Sequence, residues 1–200
     1  MSDHVTITRP KGAPLASFDT ISASQSEMVF WKNEDSEPHF PTFSTGTPAP
    51  VLANQAGPHG TSDSLQPALA VTTFDNKGNP IPLPQGQCVP ANYTCSLHQG
   101  ETGVINCYAD FYSQPSQLTG FTRGVLGTAN LTTGGMPTFT FRVSNSNLPQ
   151  SLNVKIIDPQ QGPAVTGTPG PGDAGNFAFD LYCEDSGGNN VTQTYLLIVS

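Results

Sequence analysis

Charged residues are scarce in this sequence, and basic residues are the scarcest of them. Asp, Glu, Lys and Arg make up only 11% of the 200 residues, and seven Lys and Arg stand against 15 Asp and Glu, so the formal net charge is -8. Nucleic acids and anionic membrane surfaces bind basic proteins. We therefore expect neither of them as a partner.

Long apolar runs are also missing. No stretch approaches the roughly 18 apolar residues of a membrane-spanning helix, and residues 1–4, Met-Ser-Asp-His, do not resemble the start of a signal peptide. The low charge and the abundance of Ser, Thr, Asn and Gly favour a protein outside the cytoplasm. We expect a periplasmic, secreted or surface-exposed protein whose signal peptide is not part of this chain.

Helical periodicity is absent, whereas turn-forming residues are frequent. The 20 Gly and 19 Pro are spread along the chain between short apolar segments, as in β-sandwiches and barrels. Two hundred residues suffice for two domains of about 100 residues each. The sequence therefore predicts an all-β, ordered protein.

Short apolar or alternating segments give the predicted strands of the first half. These segments are 4–8, 18–33, 68–74, 81–83, 92–95 and 104–111. Residues 28–31, Met-Val-Phe-Trp, are apolar enough to be buried on both faces. A Thr-, Pro- and Gly-rich stretch over 41–67 predicts a long surface loop, and residues 112–117 read as a linker.

Beyond residue 117 the pattern becomes more regular. The segments 139–143, 152–156, 177–183 and 194–199 mostly alternate between apolar and polar residues. Such strands bury one face and expose the other, as an antiparallel sandwich requires. The second half is therefore predicted to be a separate sandwich.

A cysteine and a histidine three residues apart follow the strand predicted at 92–95. Cys95 and His98 enter a loop that contains Gly100, and His39 lies far upstream at the start of a strand. One thiolate with two imidazoles suits copper or zinc better than hard cations. A zinc site lacks a convincing fourth ligand, and a catalytic Cys-His pair lacks an oxyanion hole and an orienting third group.

The remaining histidines and the acidic residues before His39 have simpler interpretations. His4 and His59 are expected to be exposed polar residues, with a cap over the metal site as the alternative for His59. Glu34, Asp35 and Glu37 are expected to form a solvated turn. If His39 binds a metal, these carboxylates lie near it and favour Cu(II) over Cu(I).

Two stretches of the first half resemble the cupredoxins, the small blue copper proteins typified by plastocyanin. Residues 95–100, Cys-Ser-Leu-His-Gln-Gly, are close to the plastocyanin ligand loop, and residues 33–39 are similar to the segment that supplies the family's first histidine. The resemblance implies a Greek-key β-sandwich with one type 1-like copper ion held by His39, Cys95 and His98. It further implies one-electron transfer to a redox partner protein, with His98 as the electron port and no substrate transformed.

The sequence departs from that family at the weak axial ligand. The plastocyanin-like register places a methionine five residues after His98, where this chain has Gly103. A backbone carbonyl near Pro38, or no ligand at all, is the preferred alternative, ahead of Gln99, Glu101 or a water molecule. Four histidines in the whole chain are too few for a multicopper oxidase.

The second half is similar to the immunoglobulin-like repeats of bacterial surface proteins. The matching residues are 148–152, 167–169, 174–177, 185–189 and 192–195. We therefore predict a cupredoxin-like domain at 1–113 and an immunoglobulin-like β-sandwich at 114–200. Such modules space or attach, which leaves a metal-free structural or adhesive surface protein as the alternative function.

Three cysteines lie outside the metal motif. Cys107 and Cys183 alternate with apolar neighbours and are expected to face inward, and Cys88 has no such pattern. A disulfide between two of these three residues is open from the sequence.

Overall fold

The computed structural model describes residues 3–43, 59–62 and 64–200, and within them the chain is almost entirely β-structure. Backbone contacts divide the chain into two compact units, Met1–Tyr108 and Ala109–Ser200. The described part of the chain contains no helix long and apolar enough to cross a membrane. The all-β prediction is confirmed.

The first unit contains seven strands and one 3₁₀ helix among its described residues. They are β1 (Asp3–Thr8), β2 (Ser17–Phe18), β3 (Ile21–Ser24), β4 (Val29–Asn33), β5 (Pro41–Phe43), the 3₁₀ helix (Pro67–Ala70), β6 (Val89–Cys95) and β7 (Thr102–Tyr108). Two sheets result, with strand orders β2-β1-β4 and β3-β7-β6-β5. The β1–β4 and β3–β7 pairs are parallel, and the other pairs are antiparallel.

Aromatic side chains fill the core between these two sheets. Trp31 of β4 has no exposed surface, and its ring centre lies 5.4 Å from that of Tyr93 on β6 and 5.9 Å from that of Phe43 on β5. Edge-to-face aromatic packing of this kind adds to the stabilisation from buried area. These contacts fix β5 and β6 against β4, and the residues that end or follow these strands form the site described below.

Some local predictions for the first unit are wrong. Residues 68–74 do not form a strand, because Pro67 starts a 3₁₀ helix there and Ala68 turns inward. Residues 81–83 form no strand either. Met28 is 43% exposed rather than buried, although Val29 and Trp31 are fully buried. The loop predicted over 41–67 begins with strand β5, and its residues 44–58 and 63 lie outside the described residues.

The second unit contains nine strands in its own three sheets. They are β8 (Tyr112–Ser113), β9 (Gln117–Phe121), β10 (Gly127–Asn130), β11 (Thr132–Thr133), β12 (Thr140–Ser144), β13 (Leu152–Lys155), β14 (Ala164–Gly167), β15 (Gly175–Glu184) and β16 (Asn190–Val199). The sheet orders are β12-β15-β16-β9, β10-β14-β13 and β11-β8. The stretch predicted as a linker at 112–117 thus contains β8 and the first residue of β9.

Alternating side chains build the core of the second unit. Phe179, Leu181 and Cys183 of β15 are fully buried, and they pack in one cluster with Leu152 of β13 and Val165 of β14. Strands β12, β13, β15 and β16 confirm the four alternating segments. The immunoglobulin-like assignment of this unit stays a prediction.

All four cysteines are free thiols. No disulfide therefore joins any two of Cys88, Cys107 and Cys183, and that alternative from the sequence is wrong. Cys107 and Cys183 are fully buried, as expected, whereas Cys88 is exposed. Burial raises the pKa of both Cys107 and Cys183 to about 12, so each stays protonated at neutral pH.

We predict that an aromatic disulfide reagent labels Cys88 of the native protein much faster than Cys107 and Cys183. The thiolate is the reactive form, and the two buried thiols are both protonated and inaccessible. Peptide mapping by mass spectrometry after timed labelling checks this order. Cys88→Ser should remove the fast phase, and rapid native labelling of Cys107 or Cys183 would contradict the buried assignment.

Candidate metal centre

Two chain segments supply the candidate ligands. His39 lies between β4 and β5, while Cys95 ends β6 and His98 lies in the turn that leads to β7. The amide of Cys95 donates to the carbonyl of Glu101 (3.0 Å), and the amide of Glu101 donates to the carbonyl of His98 (3.4 Å). These backbone hydrogen bonds close the turn, which holds Cys95, His98 and Glu101 at the end of a rigid hairpin.

The structure brings together the three residues that the sequence singled out, and it adds Glu101. One donor atom from each of His39, Cys95, His98 and Glu101 lies within 4.8 Å of all the others. Cys95 Sγ is 3.7 Å from His39 Nδ1 and 3.5 Å from His98 Nδ1. Metal–nitrogen bonds of about 2.0 Å and metal–sulfur bonds of about 2.3 Å separate tetrahedral donors by about 3.5 Å, so this set could hold a metal ion.

Glu101 is fully buried and presents a single oxygen to the cluster. Its Oε1 accepts a hydrogen bond from the amide of Ala16 (2.8 Å). Its Oε2 lies 2.9 Å from His39 Nδ1 and 3.4 Å from His98 Nδ1. The anchored oxygen fixes the carboxylate, so the other oxygen is already aimed between the two imidazoles.

His39 is completely buried and has a carboxylate at each ring nitrogen. Nδ1 faces Glu101 Oε2, and Nε2 lies 3.0 Å from Asp35 Oδ2. An ionised carboxylate only accepts, so Nε2–H donates to Asp35 and leaves Nδ1 as the ligand atom. Nδ1 and Oε2 are within hydrogen-bonding distance of each other, and a metal ion bound at Nδ1 would replace that hydrogen bond.

The turn before His39 is not simply solvated, because Asp35 is buried. Burial alone raises the pKa of Asp35. Hydrogen bonds from His39 and the Ser36 amide, together with the Arg9 guanidinium, outweigh that effect and hold its pKa below the ordinary value. Glu34 and Glu37 remain exposed, and Glu34 pairs with Lys32 at 2.6 Å.

His98 is the more accessible of the two imidazoles, with 25% of its side chain exposed. Its ring centre lies 4.8 Å from that of His39. Its outer nitrogen, Nε2, is 3.3 Å from Glu37 Oε2. Each histidine thus offers Nδ1 to the cluster and holds a carboxylate at Nε2.

The sulfur of Cys95 accepts a hydrogen bond from the amide of Phe40 at 3.4 Å. This amide belongs to the residue after His39, so the two chain segments meet at the thiol. An N–H donor to a ligating sulfur stabilises negative charge on it and orients the side chain. The same contact ties the upstream histidine to the downstream cysteine.

The other candidate residues do not join the cluster. His4 is exposed and stacks on Phe30, with 5.3 Å between ring centres. The side chain of His59 is exposed, although its amide donates to the Asp35 carbonyl (3.3 Å). Gln99 is also exposed. Of the side chains considered for the fourth position, Glu101 is the one in the cluster.

Gly103 lies in β7 directly opposite Tyr93 of β6. A Cβ atom built on Gly103 would lie 2.3 Å from the Tyr93 ring and hydroxyl, so the tyrosine covers this position. The absence of a side chain at 103 therefore has a packing cause. It carries no information about the loss of a metal ligand.

We predict that Gly103→Ala lowers the free energy of unfolding by about 1–3 kcal/mol. The added methyl group forces the Tyr93 ring out of its packing against Trp31 and Phe43. Chemical denaturation of the metal-free protein measures the change. Gly172→Ala is the matched control, since a Cβ there meets nothing within 4 Å, and an equal effect in both variants would contradict the packing role of Gly103.

Comparisons with known proteins give only distant likenesses. No protein-family model matches the sequence, and no curated protein does. A Cu(I) variant of amicyanin is 14% identical with a TM-score of 0.36, over 53% of this chain and 81% of that chain. An oxidised amicyanin variant is 15% identical with a TM-score of 0.35 over the same shares.

A different protein is similar over more of the sequence. An endo-fucoidan hydrolase of glycoside hydrolase family 107 is 15% identical with a TM-score of 0.37, over 91% of this chain and 28% of that chain. Likenesses at these TM-scores carry no argument about function. The case for a metal centre depends on the four side chains of this chain.

Proposed function

We propose that the first unit is a mononuclear copper centre that transfers single electrons outside the cytoplasm. Its ligands are His39, Cys95 and His98, with Glu101 as the fourth donor. The observation that carries the proposal is the convergence of two imidazole Nδ1 atoms, one thiol sulfur and one buried carboxylate oxygen within 4.8 Å. A mixed set of nitrogen, sulfur and oxygen donors suits copper or zinc.

The surrounding contacts favour a site that changes little between oxidation states. Copper held by these residues would supply a one-electron couple between Cu(II) and Cu(I). Asp35 and Glu37 hold the outer nitrogens of the imidazoles, the Ala16 amide holds Glu101, and the Phe40 amide holds the Cys95 sulfur. Ligands fixed by such partners rearrange little.

His98 is the proposed port for the electron, because its ring is partly exposed whereas His39 is enclosed. A redox partner protein would approach the ring at this edge. The chain needs no substrate pocket for that activity, and we propose that it is an electron carrier and not an enzyme. The anionic fourth donor favours Cu(II) and sets this centre apart from one with a neutral axial ligand.

A second candidate is a structural zinc site. The lack of a fourth ligand argued against zinc in the sequence, but the buried Glu101 carboxylate supplies one. Closed tetrahedral sites with four protein ligands are typical of structural zinc. Competition between the two metals and reversible one-electron voltammetry separate these candidates, because zinc has no redox couple.

We predict that the metal-free protein binds one Cu(II) ion with an intense visible absorption from thiolate to copper. Cys95→Ala should abolish that absorption, since Cys95 supplies the only thiol in the described cluster. Optical titration at stoichiometric Cu(II) measures it. Cys88→Ala is the matched control and should leave the spectrum unchanged, because Cys88 is exposed and lies outside the cluster. Its thiol donates a hydrogen bond to the side-chain oxygen of Asn106.

The titration also separates the proposed function from its main alternative. A spectrum without the thiolate band at stoichiometric Cu(II) would contradict the proposal that the protein is a copper electron carrier. Zinc binding in that case would support the structural zinc site. If neither ion binds, the cluster is a hydrogen-bonded network in a structural or adhesive surface protein.

Glu101 has its own test. Glu101→Gln should weaken Cu(II) binding about tenfold or more, because a neutral amide replaces an anionic donor, while the thiolate band from Cys95 remains. Chelator competition measures the dissociation constant. Glu27→Gln is the matched control, since Glu27 accepts from Ser24, and unchanged Cu(II) affinity in Glu101→Gln would remove Glu101 from the ligand set.

A further inference from the structure

Three carboxylates surround the two imidazoles, and one guanidinium contacts all three of them. Arg9 Nε donates to Asp35 Oδ2 at 2.9 Å, and Nη2 donates to Glu37 Oε2 at 2.8 Å. The same Nη2 lies 3.6 Å from Glu101 Oε1. Asp35 and Glu37 each face one histidine, and Glu101 faces both.

In two of these carboxylates, the oxygen that contacts Arg9 is the same oxygen that contacts a histidine. The Asp35 oxygen that accepts from Arg9 is also the oxygen that accepts from His39 Nε2, and the Glu37 oxygen that accepts from Arg9 is the one that faces His98 Nε2. Each oxygen therefore bridges the guanidinium to one imidazole. Movement of Arg9 would loosen the contact of both rings at their outer nitrogens, although the Ser36 amide still holds the other oxygen of Asp35.

The strand pairing explains how Arg9 reaches these residues. Strands β1 and β4 run parallel with Ile7 opposite Asn33, and the amide of Glu34 donates to the carbonyl of Ile7 at 2.8 Å. Two residues further along both segments, just beyond the ends of β1 and β4, Arg9 comes level with Asp35. The register of the sheet, and not a local motif, delivers the cation to the acidic turn.

The chemistry of the contact requires arginine. A guanidinium presents several N–H donors in a planar fork and can hold two carboxylates in fixed directions, whereas an ammonium is a compact point charge on a flexible stem. The three carboxylates place several acidic groups around the centre, and Cys95 would add a thiolate when it binds a metal. Arg9 is the positive side chain in contact with them.

We infer that Arg9 is the positioning residue of this centre: it orients both imidazoles through Asp35 and Glu37, and its charge sets the preference between Cu(II) and Cu(I). The part that concerns copper rests on the proposed function. The part that concerns ring orientation belongs to the metal-free protein and can be measured without any metal. Arg9 touches no ligand atom aimed at the metal, so it acts only through the carboxylates.

The first experiment uses the metal-free protein. In the wild type, the His39 Nε2 proton is buried against Asp35 and should exchange slowly with water in ¹⁵N-resolved NMR spectra of the imidazole groups. Arg9→Gln should speed that exchange about tenfold or more, because the Asp35 oxygen that faces His39 loses its guanidinium partner. Lys32→Gln is the matched control: it removes a positive charge from the same region, but Lys32 pairs with Glu34, and its exchange rate should stay unchanged.

The second experiment measures the dissociation constants of Cu(II) and of Cu(I) by chelator competition. Loss of the cation leaves the carboxylates uncompensated and favours the higher charge of Cu(II). Arg9→Gln should therefore raise the preference for Cu(II) over Cu(I) about tenfold relative to the wild type. Lys32→Gln should change this ratio less than threefold.

Arg9→Lys separates position from charge. It keeps the positive charge, so the ratio of the two constants should stay within about threefold of the wild type, while the His39 proton should exchange faster. If Arg9→Gln fails to fold, Arg9→Lys carries the test by itself. A lysine variant with wild-type proton exchange would overturn the positioning role.

The remaining outcomes are also decisive. If Arg9→Gln and Lys32→Gln change the proton exchange rate and the metal preference equally, the effect of Arg9 is one of general charge, and the inference is overturned. The inference is also overturned if Arg9→Gln changes neither the exchange rate nor the metal preference. If the wild type binds no copper, the proposed function fails. The proton exchange of the metal-free variants then still decides whether Arg9 positions the imidazoles.

Discussion

The geometry of the first unit depends on the complete burial of one imidazole, that of His39. A buried polar ring without partners is costly, and a buried charge without a partner costs several kcal/mol. Asp35 and Glu101 satisfy the two ring nitrogens at 3.0 and 2.9 Å, but they bring two buried carboxylates with them. These in turn require Arg9 and the amides of Ser36 and Ala16. One buried ring thus determines the polar shell around it.

The same shell holds the four candidate ligands through contacts within the protein. Each of the four candidate ligands has a hydrogen-bonding partner, so the donors do not need an ion to hold their positions. A preorganised site loses little conformational entropy when a metal binds. The network would also compete with the ion, because the hydrogen bond between His39 and Glu101 would have to break.

Local sequence patterns predicted the parts of the fold and the site that depend on neighbouring residues. The alternation along β15 and β16 reflects one buried face, and the spacing of Cys95 and His98 fits a single turn after a strand. The sequence named Glu101 only as a low-ranked fourth ligand, expected Asp35 in a solvated turn and gave no role to Arg9. Asp35 lies only four residues from His39, but the contacts that fix Glu101 and Arg9 span long distances in sequence. The bond from Ala16 to Glu101 connects residues 85 positions apart, and that from His39 to Glu101 spans 62. No local pattern distinguishes such acids from solvated ones. Strand pairing brings them together.

Gly103 is a case in which the sequence suggests a functional change that the packing explains more simply. A glycine at the position expected for a methionine suggests a lost ligand. In the structure, the Tyr93 ring lies where a side chain would begin, and Tyr93 itself is held by Trp31, Phe43 and Phe18. The aromatic core therefore excludes a side chain at 103 whatever the site binds. In the proposed centre the fourth donor would come instead from Glu101, two residues earlier, where the backbone still belongs to the turn. Since a buried carboxylate is anionic where a thioether is neutral, a copper ion held here would be biased towards Cu(II), and the nearby cation of Arg9 would limit that bias.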